Sequence, residues 1–148
     1  MTAEELLKRY AAGERDFSEI NLEWTDELAR ANLSGINLSN STISEIFLEE
    51  INLSGANLRG AILGQTCLRG ANLQDADLTG ADLSHANLDR ADLTGAKLTN
   101  AYIRTTSMIC ANLTDTDLTG TEFIWEMVDG SIFSRTILPD GRIYNGNI

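Results

Sequence analysis

The side chains with chemistry to offer in this 148-residue chain are one histidine, two cysteines and many carboxylates. A metal centre or an acid–base pair built on His85 would need Asp, Glu or Cys partners converging on it from elsewhere in the chain. Cys67 and Cys110 are too few for a disulfide framework. The Asn-x-Ser/Thr triplets, such as Asn32-Leu33-Ser34 and Asn112-Leu113-Thr114, would accept a glycan only in a secreted chain. No glycine-rich phosphate loop and no nucleophile motif interrupts the sequence, and the carboxylates themselves fall at regular intervals. Those intervals are the main signal, and they leave few residues over for catalysis.

Leucine or a close apolar substitute recurs at every fifth position from Leu28 through Leu53, Leu78 and Ile103 to Phe123, Val128, Phe133 and Leu138. A strand alternates faces with period two, so leucines five apart would point half to water. An α-helix turns about 100° per residue, so the same leucines would spiral around it without forming a stripe. What remains is a chain that bends once per five residues and directs each leucine to a common axis from successive sides, a β-helical solenoid whose repeats bury apolar groups by stacking.

The companion positions agree. Two residues before each leucine stands a small residue, mostly Ala (Ala56, Ala71, Ala76, Ala96, Ala111) with Thr66, Thr106, Thr116 and Thr121 as variants, as expected where leucines converge and leave room for little more than a methyl or hydroxyl. Asn or Asp precedes the leucine and Gly often follows it by two, both turn residues.

Units such as Ala76-Asp77-Leu78-Thr79-Gly80 and Ala91-Asp92-Leu93-Thr94-Gly95 resemble the A(D/N)LXX motif of the pentapeptide repeat family, and the resemblance covers nearly the whole chain. It implies an all-β, right-handed quadrilateral β-helix with four repeats per coil. Counting Phe17 and Leu22, the repeats make about six coils and a rod on the order of 30 Å long. The stretch from Leu6 to Phe17 and the Leu138-Pro139-Asp140-Gly141 segment resemble cyanobacterial members of the family.

The chain reads as a single domain over residues 1–148, with an N-terminal capping α-helix over 2–12, repeats over 15–138 and a tail over 139–148. Thr2-Ala3-Glu4-Glu5 is a capping box, Leu6, Leu7 and Tyr10 form an apolar face, and Gly13 is a natural stop. The helix is expected to cover the raw end of the first coil, and Ile143, Tyr144 and Ile148 to fold back on the last. Leu22 and Leu28 are six apart, which implies a one-residue bulge around Trp24-Thr25-Asp26. Ile36, Ile46 and Ile51 occupy normally small inward positions, so the first coils should be packed differently. No apolar run approaches the ~18 residues of a membrane span and no basic, apolar leader opens the chain, so a cytoplasmic protein off the membrane is expected.

With four repeats per coil, residues twenty apart form columns. His85 then stands outward with Glu45, Gln65, Thr105 and Trp125, a column without convergent metal or acid–base partners. Cys67 and Cys110 fall on neighbouring columns about 10 Å apart along the axis, beyond disulfide reach. These readings give no catalytic residue, no cofactor site and no metal site.

The net charge of −11 raises a different possibility, since some members of the family resembled inhibit DNA gyrase, a type II topoisomerase, as DNA mimics. Here one acidic column runs Asn37, Asn57, Asp77, Lys97, Asp117, with a lysine between aspartates, and another runs Asn32, Asn52, Asn72, Asp92, Asn112, nearly neutral. Those relatives dimerise through a C-terminal extension into a much longer rod, and no dimerising helix is evident in these 148 residues, so a monomer is expected. Acidity here is expected to keep a β-rich monomer soluble and to oppose direct nucleic-acid binding.

Apolar residues at outward positions mark the most distinctive surface, with Phe47, flanked by Glu45, Glu49 and Glu50, a second and smaller outlier. The register places Tyr102, Ile109, Ile124, Trp125 and Met127 on two adjoining faces of the last two coils, with Arg104 among them. Aromatics, Met and Arg on an exposed surface suit a protein interface; alternatively the C-terminal tail covers them through Ile143 and Tyr144. The function read from the sequence is a rigid module for a protein partner, with a gyrase-inhibiting DNA mimic as the alternative.

Overall fold

The computed structural model describes residues 1–147, and its backbone repeats the same five-residue unit along the chain. In most units the leucine turns inward, the next two residues make the turn, and the second of these adopts positive φ, as at Asn40 (+56°), Asp75 (+56°) and Gly95 (+70°). Positive φ is costly for a residue with a Cβ but less so for Asn, Asp and Gly, which explains why those types recur there.

Parallel bridges step by twenty residues, from Asn32 to Asn52 to Asn72 to Asp92 to Asn112, so four turns close one coil. Two backbone bonds tie each repeat to its neighbours. The Leu93 N–H donates to the Asn112 carbonyl of the next coil (2.9 Å), and the Asp92 N–H to the Ala71 carbonyl of the preceding one (2.9 Å). The residue ahead of the leucine anchors the turn through its side chain: Asp77 Oδ1 accepts the Thr79 N–H at 3.0 Å, and Asn112 Oδ1 the Thr114 N–H at 3.1 Å.

The interior is a column of leucines and alanines. Leu63, Leu73, Leu78, Leu83, Leu88, Leu93 and Leu98 are fully buried, with Ala76, Ala81 and Ala96 between them. Ile36, Ile46 and Ile51 also point inward and are buried, and an apolar cavity of about 10 Å³ lies between Leu6 and the first coils.

The register break lies slightly later than the residue spacing suggests. The Thr42 N–H bonds the Ile20 carbonyl and the Phe47 N–H the Thr25 carbonyl, each twenty-two residues back, whereas the Asn52 N–H bonds Ala31, twenty-one back. Thr25 is therefore still in the first register, and the extra residue sits between it and buried Leu28.

Helix α1 (Ala3–Ala11) caps the first coil, with the Thr2 hydroxyl accepting the Glu5 N–H at 3.2 Å and Leu6 fully buried. The Tyr10 hydroxyl donates to the Ser34 carbonyl at 2.8 Å, fixing the helix to the rod. At the other end β1 (Ile132–Ile137) turns through Leu138-Pro139-Asp140-Gly141 and pairs antiparallel with β2 (Ile143–Asn147), Ile137 opposite Ile143 and Phe133 opposite Gly146. Tyr144 packs edge-on against Phe133 at 5.7 Å, whereas the Ile143 side chain is exposed; Ile148 lies outside the described residues.

Candidate functional site

The departures from the repeat gather on the face that carries Leu63, Leu83 and Ile103. Backbone pairing runs down this face from Ile62 to Asp82 to Tyr102 and stops there, while the other three faces are bonded onward into the last coil, by Met108 to Met127, Leu113 to Ile132 and Leu118 to Ile137. The cause is visible in the residue types. Thr105 and Trp125 hold the turn position where Gln65 and His85 have positive φ, and neither is among the residues that adopt it. A β-branched or aromatic side chain disfavours that conformation. At Thr105 the side chain substitutes for backbone: its hydroxyl oxygen accepts the His85 N–H at 3.0 Å.

Beyond Thr121 the chain leaves the ladder. Phe123, at a position where a leucine would be buried, is only half-buried, and Trp125–Val128 forms a single 3-10 turn before Val128 rejoins the core. Trp125 stacks edge-on with Phe123 at 4.9 Å and approaches Phe133 at 6.1 Å, so part of its ring closes the end of the rod. Its other side is open; the residue is 49 % exposed, and Tyr102 69 %.

Two hollows flank this segment. One, of about 550 Å³, is lined by Ile124 and Trp125 together with Pro139, Asp140 and Arg142; the other, of about 620 Å³, by Tyr102, Ile103 and His85. Arg104 and Glu122 line both. Of the six residues singled out from the sequence, Ile124 and Trp125 line the first hollow, Tyr102 the second and Arg104 both, so the four border a pair of adjoining hollows. Ile109 and Met127 do not: Ile109 is exposed on the adjoining Leu88 face and donates its N–H to Asp89 at 2.9 Å, while Met127 is half-buried and its carbonyl accepts the Met108 N–H at 2.7 Å. The tail borders the first hollow through Asp140 and Arg142 without covering Trp125 or Tyr102.

The remaining chemical candidates sit apart from one another. His85 is exposed at the edge of the second hollow. Both cysteines are free thiols, and burial together with a hydrogen bond to Glu49 pushes the Cys67 thiol up, against the opposing Arg69 backbone N–H. Among the described residues no three His, Cys, Asp or Glu side chains cluster as metal ligands. For Asp77, Asp92 and Asp117 partial burial works against ionisation, but hydrogen bonds from Thr79, Thr94 and Thr119, joined by those from Arg59, Gln74 and Thr99 respectively, outweigh it and hold the carboxyls below their ordinary range. These carboxylates are turn anchors. Asp77 also pairs with Arg59 at 3.1 Å, so the column that includes Lys97 is further neutralised.

The pentapeptide repeat family model matches residues 31–70, 71–108 and 96–135. The chain belongs to this family, whose members fold as right-handed β-helices and are typically structural repeat proteins without enzymatic activity. Similar solved structures include a pentapeptide repeat protein of the Arabidopsis thaliana thylakoid lumen, 32 % identical over 77 % of this chain and 72 % of that one, with a TM-score of 0.37. Another is HetL of the cyanobacterium Nostoc, a protein involved in heterocyst differentiation regulation, 26 % identical over 97 % of this chain and 100 % of HetL, with a TM-score of 0.29. A trypsin-treated R167E form of the plasmid-mediated fluoroquinolone resistance protein QnrB1 is 18 % identical over 83 % of this chain and 70 % of that one, with a TM-score of 0.43. No curated protein matches the chain.

Proposed function

We propose that the chain is a non-catalytic, cytoplasmic interaction module, a monomeric rod whose contact surface for a protein partner is the pair of hollows bordered by Tyr102, Arg104, Ile124 and Trp125. The observation that carries this reading is Trp125 itself. Half of it braces Phe123 and Phe133, and half stands open beside a hollow that Arg104 rims. An aromatic held rigid by its own neighbours yet open to solvent loses little entropy when a partner covers it, and Trp, Tyr and Arg are the types that dominate binding energies. Coils tied to one another by backbone bonds supply the rigid mount.

Affinity capture from the native host with Trp125→Ala and Tyr102→Ala beside the unaltered chain tests the reading. Each substitution should lower recovery of the same partner by about tenfold or more, the effect of losing one central aromatic. Unchanged recovery with both would remove this surface. A parallel supercoiling assay with purified gyrase should show no inhibition; inhibition at low micromolar concentration would put DNA mimicry in its place.

A further inference from the structure

Negative charge and exposed rings coincide at the opposite end of the rod, around the register break. The first fifty residues hold eleven of the twenty-two carboxylates but four of the eleven basic side chains. They also hold two large rings turned to solvent, Trp24 at 68 % exposure and Phe47 at 48 %. The backbone sets these on adjoining coils. The Leu22 N–H bonds the Thr42 carbonyl (3.0 Å) and the Phe47 N–H the Thr25 carbonyl (3.4 Å), a register that puts Trp24 beside Glu45 and Asp26 beside Phe47. Glu27 follows in the bulge. Asp26, Glu27 and Glu45 are exposed, and none makes an ion pair among the described residues.

The four aromatic rings of this stretch are treated in two ways. Arg15 lies over the Tyr10 ring, 3.8 Å from its centroid, and Arg9 over Phe17 at 5.2 Å. Among the described residues no cation of the chain lies over Trp24 or Phe47, and neither packs on another ring. Each nevertheless stands beside a carboxylate that lacks a counter-ion. A ring face attracts a cation through its quadrupole, and a carboxylate next to it accepts the N–H donors of the same group.

We propose that this end of the rod binds an arginine-rich segment of a partner protein, one guanidinium lying over Trp24 and bonded to Glu45, a second over Phe47 and bonded to Asp26. Arginine fits better than lysine because its planar group stacks on a ring while its edge donates two parallel bonds to a carboxylate. Imitation of duplex DNA asks for carboxylates alone, whereas here two rings are part of the site. The surface lies at the far end from the Trp125 hollows and stands independently of the contact proposed there.

The test titrates the full chain into a fluorescein-labelled peptide of alternating Arg and Gly, beside the same peptide with Lys in place of Arg, and reads anisotropy. The arginine peptide should saturate below about 100 μM at about 0.15 M salt and bind about threefold or more tighter than the lysine one. Trp24→Ala and Phe47→Ala should each weaken it by about threefold or more, and Asp26→Asn combined with Glu45→Gln by about tenfold. Glu126→Gln combined with Asp129→Asn removes the same charge at the other end of the rod; that variant and Trp125→Ala should each shift binding by less than about twofold. Absence of saturation, equal binding of the lysine peptide, indifference to both rings, or an equal loss from the distant pair would overturn the proposal. A loss confined to Trp125→Ala would place the peptide at the hollows and overturn it as well.

Discussion

The Thr116 hydroxyl donates to the carbonyl oxygen of Leu93 in the preceding coil at 2.8 Å, twenty-three residues back and beside the Ala96 N–H that bonds the same oxygen. Thr66 to Ile43, Thr106 to Leu83 and Thr136 to Leu113 repeat the relationship, all four threonines being buried. A hydroxyl thus stands where most coils have an alanine methyl, and it is satisfied by the preceding coil. Thr116→Val keeps the volume and removes only the donor, while the Leu93 carbonyl keeps its bond from the Ala96 N–H (2.9 Å), so it should cost about 0.5–1.5 kcal/mol; Thr116→Ala loses the same bond and a methyl's worth of packing and should cost more, about 1–2.5 kcal/mol. Chemical denaturation of the two variants gives the order, and a Val variant as stable as the parent would show the bond to be idle.

Leu78→Asp places a carboxylate in the centre of the leucine column, at a side chain with no exposed surface. The loss should exceed about 4 kcal/mol, from buried charge added to lost packing. Circular dichroism on heating should show an unfolded chain or a deeply lowered melting temperature. A melt close to that of the parent would contradict the inward orientation.

Gly60 has φ of +63°, and a Cβ built there would stand 2.6 Å from Asn40 Oδ1. The Asn40 amide can swing away, so backbone conformation is the larger cost, and Gly60→Ala should destabilise by about 1–2 kcal/mol. Gly64, whose φ is not positive, is the comparison site on the adjacent turn and should tolerate alanine better.

Acid should loosen the rod through its turn anchors. Burial raises the carboxyls of Asp77, Asp92 and Asp117, but bonds from the following threonines together with those from Arg59, Gln74 and Thr99 prevail and lower them, so the folded chain binds fewer protons than the unfolded one. The sign follows: their contribution is whole above the unfolded value of about 3.9 and fades as the pH falls through the lowered folded values. Melting temperatures should hold steady from neutral pH down to about 5 and drop below about 4. Asp77→Asn retains an acceptor for the Thr79 N–H without the titration, so it should flatten that drop in part. An equally steep acid loss in the variant would assign the effect to other carboxylates.

Much of this architecture is legible in residue spacing because every coil imposes the same local demands. The leucine period dictates the inward column, Asn and Asp ahead of each leucine become the turn anchors, and Thr2 through Glu5 cap the helix as their types require. The pair of hollows is less legible. Columns foretell that Tyr102, Arg104, Ile124 and Trp125 share a face, but persistence of backbone pairing on that face is a property of two coils at once. Thr105 and Trp125, bulky residues at a position that elsewhere takes positive φ, were the signal available. Met127 stands in its projected column, where its carbonyl accepts the Met108 N–H, but that column belongs to the adjoining face with Ile109, away from the hollows.

A twenty-residue coil assembled from four interchangeable sides has a bearing on how such a chain can diverge. Insertion or loss of one five-residue unit leaves leucine stacked on leucine, yet rotates everything after it by a quarter turn relative to everything before. Ancestral duplications of a single unit would therefore shuffle which outward residues stand side by side while sparing the interior, and new surface mosaics arise from slippage alone, ahead of any point mutation.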